Sequence, residues 1–200
     1  MKLIIVDGLD GVGKDTHAQL IKKKYEDKGL KVIIRSHPES DNFYGRTAKK
    51  SLLKTGLINQ IKASLFYALD VLYSLKRYYY SKSNRVDVLI MVRYLIGTAY
   101  LPKRLSPLAY LFFIKFVPLS DYMFFLDAPP SLLVSRVSKR SEVEMFETLE
   151  EFIKVREKAY ILINKWQHWH IIDTSGSVDE TFANISRILD EIDREKESKA

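Results

Sequence analysis

The chain has 200 residues, 46% of them hydrophobic and 28% charged, with a formal net charge of +7 and no cysteine. That length and balance are ordinary for one soluble globular domain with a sizeable core, and the missing cysteines exclude disulfides and cysteine-ligated metal. The positive charge suits an anionic partner (nucleotide, nucleic acid or membrane surface) without choosing among them.

The first residues, MKLIIVDG, turn polar too soon for a signal peptide. The most apolar stretch, 108–119, is interrupted by Lys115 and falls well short of the roughly 20 residues that a spanning helix needs. A cytoplasmic protein with no membrane partner is therefore expected.

LIIV at 3–6 opens the chain as a strand, and near-continuous apolar runs recur at 31–36, 86–92, 121–127 and 169–174. Such runs mark strands buried on both faces, as in a parallel sheet with helical crossovers. Between them, 14–28 reads as a helix stopped by Gly29, and further helices are predicted at 47–53, 58–80, 130–139, 148–166 and 178–196. Strand and helix alternating in this way predict one α/β domain over 1–200, three layers thick, with a five-stranded parallel sheet flanked by helices. Ligands of such sheets bind at the carboxyl ends of the strands. The aromatic segment 109–116 is assigned to the core or to a subunit interface. The tyrosine run 78–80 is assigned to packing rather than to nucleic acid, and His17 to the surface.

The sequence GLDGVGKDT at 8–16 follows the first strand and opens the first helix. A glycine-rich turn in that context converges backbone N–H groups and a helix N-terminus on phosphate oxygens, as in the pattern G-x-x-x-x-G-K-[ST]. Gly8, Gly13 and Lys14 match the pattern, so Lys14 is expected on the β- and γ-phosphates of a nucleotide. Asp15 replaces the usual hydroxyl. A carboxylate beside a triphosphate is costly unless a cation lies between them. Magnesium is such a cation and accepts carboxylates readily, while Thr16 offers a hydroxyl one position on. The fold is accordingly read as a P-loop NTPase fold, with Asp15 and Thr16 as metal ligands and Gly8, Asp10, Gly11, Gly13, Lys14, Asp15 and Thr16 around ATP.

Beyond the loop, the chain resembles the thymidylate kinases from about residue 2 to 175, in their archaeal version. LFYALD (65–70) resembles the family's L-F-x-A-x-R, VRYLIGTAY (92–100) its D-R-Y segment, and FLDAPPSLLVSRVSKR (125–140) its F-L-D-x-P-P and arginine-bearing lid. HPESDNFYGR (37–46), VEMFE (143–147) and KVREKAY (154–160) follow in the family's order. The resemblance implies transfer of the γ-phosphoryl group of ATP to a nucleoside monophosphate, thymidine monophosphate above others, with magnesium, in a homodimer that binds no nucleic acid. It implies an acceptor site of Asp10, Arg35, Phe66, Asp70, Arg93 and Tyr100, with Phe66 stacking on the base and Arg93 gripping the phosphate. It also implies a small lid over about 136–147, whose Arg136, Lys139 and Arg140 supply cations; Arg136 and Arg140 join Lys14 and Arg93 as candidate catalytic groups. At three positions the chain departs from the family: Val92 stands in place of an aspartate, Asp70 in place of an arginine, and Ser36 in place of another arginine, with Arg35 adjacent to it and Arg46 following. Asp15 is expected to compensate for Val92. Asp70 opens the alternative of a deoxynucleoside kinase, and the altered residues 15, 70 and 92 together that of a nucleotide-binding protein that has lost transfer.

Overall fold

A computed structural model describes residues 1–54, 56–81, 86–138, 148–165 and 169–199. Five strands form one sheet: β1 (Lys2–Gly8), β2 (Val32–Ser36), β3 (Val88–Val92), β4 (Tyr122–Asp127) and β5 (His170–Asp173). Their order is β2-β3-β1-β4-β5 and every neighbouring pair is parallel. Parallel neighbours cannot be joined by a hairpin, so each connection crosses a face of the sheet through helical chain. All residues of β3 and β4 are buried, as unbroken apolar runs require.

The flanking helices are α1 (Lys14–Glu26), α2 (Phe43–Leu52), α3 (Leu57–Ser74), α4 (Ser106–Phe116), α5 (Pro130–Val137), α6 (Leu149–Lys165) and α7 (Val178–Glu197). Their ends follow local chemistry. Left-handed Gly13 (φ 86°) leads into α1, and left-handed Gly29 (φ 78°) lies just beyond its end. The Asn42 side chain accepts the Gly45 N–H and starts α2 four residues before the predicted helix. Ser177 and Glu180 cap α7 reciprocally. The predicted helix 58–80 is α3 followed by a π-helical turn, Leu75–Tyr79.

The five strands and the three-layer arrangement match the sequence reading. Helix α4 does not: its residues were read only as an apolar stretch. It buries Tyr110 and Phe113 yet exposes Leu108, Phe112 and Phe116, so apolar residues surround it and no helical period shows.

β1 sits between β3 and β4, with Val6 beside Val92 and Gly8 beside Leu126. The glycine loop therefore opens at the carboxyl ends of both neighbours. Gly8 has φ 143°, and a Cβ there would lie 2.2 Å from the Leu126 carbonyl oxygen. Only glycine lets the loop leave β1 so close to β4. At the opposite pole, Asp193 on α7 pairs with Lys2 and accepts from the hydroxyls of Tyr25 (3.0 Å) and Tyr122 (2.7 Å). The Lys2 ammonium lies 4.3 Å from the centre of the Tyr25 ring and 5.1 Å from that of Tyr122. This clamp joins β1, α1, β4 and α7.

Candidate active site

Lys14 is buried, and its ammonium donates to the carbonyls of Gly8 (2.9 Å) and Leu9 (2.5 Å) and to Asp10 Oδ1 (3.3 Å). It thus lies along the inside of the loop whose amides would hold phosphate. Burial pulls its pKa below the ordinary lysine value, although Asp10 works the other way. For Asp10, burial opposes ionisation, but Lys14, Arg93 and the Tyr100 hydroxyl (3.0 Å to Oδ2) outweigh it and hold the carboxyl well below its usual range. Asp10, Tyr100, Lys14 and Arg93, each expected at the site from sequence, are brought together here.

Arg93 follows β3 and is the one described non-glycine residue with a positive φ, 58°. Such a backbone persists only where its surroundings hold it. Three contacts do so. Its own N–H donates to the Val6 carbonyl (3.2 Å), and the Tyr67 hydroxyl donates to its carbonyl. Asp7 Oδ2 then accepts the next three amides, of Tyr94 (2.8 Å), Leu95 (2.8 Å) and Ile96 (2.9 Å), while Asp7 Oδ1 accepts from Gly8 N–H (3.0 Å). The Arg93 guanidinium is thereby aimed at the loop, with Nη2 3.4 Å from Asp10 Oδ1 and Nη1 3.3 Å from Asp15 Oδ2. Asp7 and Tyr67 were missed by sequence reasoning. A carboxylate closing an apolar strand is the only signal that pointed to Asp7.

Asp15 reaches across from α1 to the ends of β2 and β3. Its Oδ1 accepts the Ser36 hydroxyl at 2.5 Å, and Ser36 is the register partner of Val92. Burial works against its ionisation, but Arg93 and Ser36 hold its pKa low. The Asp15 carboxylate thus reaches Ser36 and Arg93 at the carboxyl ends of β2 and β3, where position 92 carries a buried valine. Among the described residues no cluster of three or more His, Asp or Glu is set to hold a metal. Asp15 and Thr16, adjacent and exposed on the first turn of α1, offer two oxygens. That donor set fits magnesium, which keeps several waters and is bound through one or two carboxylates plus substrate phosphates.

Two residues expected at the site, and one expected at the surface, have different surroundings from those the sequence suggested. Asp70 is fully buried, 0% exposed, and both its oxygens are taken: Oδ2 by Glu39 N–H (2.7 Å) and Oδ1 by Asn42 Nδ2 (2.6 Å). It pins the segment between β2 and α2 and presents no free oxygen to an acceptor. That segment packs so closely that a Cβ on Gly45 would lie 1.9 Å from the Glu39 carbonyl oxygen. Arg35 is also buried, forked onto Asp41 at 2.8 and 2.9 Å and stacked over Tyr78. His17, expected at the surface, is 2% exposed, because α1 turns that face inward.

Phe66 is half-buried, edge-on to Phe43 with ring centres 5.9 Å apart, and Phe43 is largely exposed. Arg136 donates to the carbonyls of Gly11 (3.4 Å) and Thr174 (2.8 Å), tying α5 to the phosphate loop and to the chain after β5. Gly11 packs under α5, where a Cβ would meet Val137 at 3.2 Å and the Leu133 carbonyl at 3.3 Å. Arg140, Lys139 and segment 143–147 lie outside the described residues, and so does most of the expected lid.

A second polar chain lies behind Arg93. The Val92 carbonyl can only accept, so His37 Nδ1 carries the proton and donates to it (3.2 Å). His37 Nε2 then accepts from the Ser74 hydroxyl (3.0 Å), whose oxygen accepts Arg35 Nε–H (3.1 Å). Burial first, and then the charges of Arg35 and Arg93, pull the His37 pKa down to about 3.

A sequence model described as thymidylate kinase matches residues 6–185. The probable thymidylate kinase of Pyrococcus abyssi is 28% identical over 194 residues, covering 93% of this chain and 94% of that protein. Probable thymidylate kinase 1 of Saccharolobus solfataricus is 29% identical, covering 94% of this chain and 96% of its own. Among solved structures, thymidylate kinase from Candida albicans superposes with a TM-score of 0.76 at 20% identity, covering 96% of this chain and 92% of that one. Deoxyadenosine kinase from M. mycoides superposes with a TM-score of 0.69 at 16% identity, covering 95% of this chain and 100% of that one. At such identities the structural likenesses speak to the fold alone.

Proposed function

The chain belongs to the thymidylate kinase family, and from that premise we propose that it transfers the γ-phosphoryl group of ATP to a nucleoside monophosphate, thymidine monophosphate above others. The observation that carries the reading is the Arg93 guanidinium, 3.4 Å from Asp10 Oδ1, with Lys14 on the same carboxylate oxygen at 3.3 Å. A loop that binds donor phosphates and an arginine that can fork onto an acceptor phosphate therefore share one anchor.

Phosphoryl transfer needs in-line positioning and neutralised charge rather than a covalent intermediate. Lys14 and the loop amides bind the donor phosphates. Arg93 grips the acceptor phosphate with two parallel N–H groups, a geometry that also sets its orientation. Asp10 keeps both cations in register, and Tyr100 fixes Asp10. Asp15 and Thr16 would hold magnesium together with the donor phosphates, and the ion would supply neutralisation of the phosphate oxygens when bound. Arg136 holds α5 over the loop, and Arg140 is a further lid cation. Phe66 offers an aromatic face to the acceptor base. The alternative of an uncharged nucleoside acceptor rested on Asp70, whose buried and fully engaged carboxylate takes that support away.

The exposed Leu108, Phe112 and Phe116 on α4 support a homodimer, and a cytoplasmic setting fits a chain in which no described helix is long and apolar enough to cross a membrane. The deciding assay measures ADP release from ATP and magnesium against a panel of monophosphates and nucleosides. Turnover greatest with thymidine monophosphate supports the proposal. Turnover with nucleosides only, or tight ATP binding with no turnover on any acceptor, overturns it.

A further inference from the structure

The Arg93 guanidinium is engaged at both terminal nitrogens by carboxylates, Asp10 on Nη2 and Asp15 on Nη1. These two carboxylates are not equivalent. Asp10 is buried within the frame, tied to Lys14 and to Tyr100. Asp15 is 58% exposed, on the outer first turn of α1, and leans on Ser36. An exposed ion pair of this kind is worth little, so Asp15 is the member that can be displaced.

Resting on the kinase reading, we propose that Asp15 couples the two substrates: it competes with the acceptor phosphate for Arg93 until the donor and its cation draw it away. A phosphate monoester approaching Arg93 wants the same fork that Asp15 half occupies, and it meets the negative charge of Asp15 directly. Donor phosphates cradled by the loop would lie next to that first turn, and a divalent cation accompanying them is a better partner for Asp15 than one edge of the half-buried Arg93 guanidinium. Turning Asp15 towards the cation leaves Nη1 with the neutral Ser36 hydroxyl (3.2 Å) as its remaining partner and removes the repulsion in one movement. A hydroxyl at position 15 could still ligate the cation but could not hold Arg93, so the coupling belongs to the carboxylate. By linkage, the acceptor must tighten donor binding by the same factor.

The test is calorimetric titration of thymidine monophosphate into the wild type, Asp15→Asn and Asp15→Ser, each alone and with magnesium and a non-hydrolysable ATP analogue. Asp15 is exposed, so both variants keep the fold, and agreement between them removes dependence on either. In the wild type the analogue should lower the acceptor Kd by about three- to tenfold, the range expected for one partly screened charge. Both variants should bind the acceptor alone more tightly than the wild type does, by a similar factor, and gain less than about twofold from the analogue. Ser36→Ala, which removes the hydroxyl steadying Asp15, should tighten the acceptor alone by a smaller factor. Equal donor-driven tightening in wild type and variants, or variants that bind the acceptor alone no better, overturns the inference and leaves the kinase reading standing. Failure of thymidine monophosphate to bind any of the proteins, with or without the analogue, takes down both.

Discussion

Replacing Asp7 with alanine removes the acceptor of four backbone N–H groups, those of Gly8, Tyr94, Leu95 and Ile96, at 2.8 to 3.0 Å. All four are buried bonds, and a buried donor left unpaired costs about 1–3 kcal/mol. Part of that loss is offset, because burial raises the Asp7 pKa and its charged form is itself costly to hold inside. A net destabilisation of about 3–5 kcal/mol is expected, a large share of the 5–15 kcal/mol typical of a folded domain. Urea unfolding followed by tryptophan fluorescence measures it. Asp7→Asn should cost less, about 1–3 kcal/mol, since one oxygen can still take the three consecutive amides while an NH2 opposes Gly8. The same variant should raise KM for the acceptor more than for ATP, because those amides hold the left-handed turn that aims Arg93. A loss under about 1 kcal/mol for the alanine variant would refute the account of Asp7. Equal effects of Asp7→Asn on both KM values would refute the link to Arg93.

Arg93→Lys keeps the charge but loses the planar fork, and steady-state kinetics should give an acceptor KM raised at least about tenfold with the ATP KM little changed; a wild-type acceptor KM would count against the fork. Asp70→Asn sets an NH2 against the Glu39 N–H or the Asn42 amide, so thermal or urea unfolding should report a loss of about 1–3 kcal/mol. The order of preference among acceptor bases should stay the same, and a changed order at unchanged stability would put Asp70 in the pocket after all. The pKa of His37, about 3, lies below the ordinary 6.5, so its stabilising contribution is complete above about pH 6.5 and is lost as pH falls towards 3. That amounts to roughly 1.4 kcal/mol per pH unit in the window. Asp7 and Asp70, with raised pKa values, slope the opposite way. The difference between the pH profiles of wild type and His37→Gln therefore carries the prediction, and parallel profiles would contradict it.

Strands were legible in the sequence because burial on both faces leaves an unbroken apolar run, and all five appear within a few residues of where they were read. Helix α4 was not, because a helix that is apolar on its covered and its exposed side shows no period. At the site, the residue marked by the loop motif (Lys14) and those marked by the family resemblance (Asp10, Arg93) do converge. Those that hold them do not announce themselves. Tyr67 is one aromatic among many, and the role of Asp7 depends on three amides some 90 residues away. Asp70 shows the opposite failure: its charge was visible, but not its burial, since that comes from Asn42 and Glu39 folding over it.

The clamp around Lys2 and the cluster around Lys14 hang from opposite ends of β1, whose seven residues span about 20 Å at the usual rise. Groups so far apart, with no shared partner, contribute to stability nearly independently. Thermal tolerance can therefore be adjusted at the Tyr25, Tyr122 and Asp193 end while turnover is left untouched. A lineage moving between hot and temperate habitats has one pole to retune and another to leave alone.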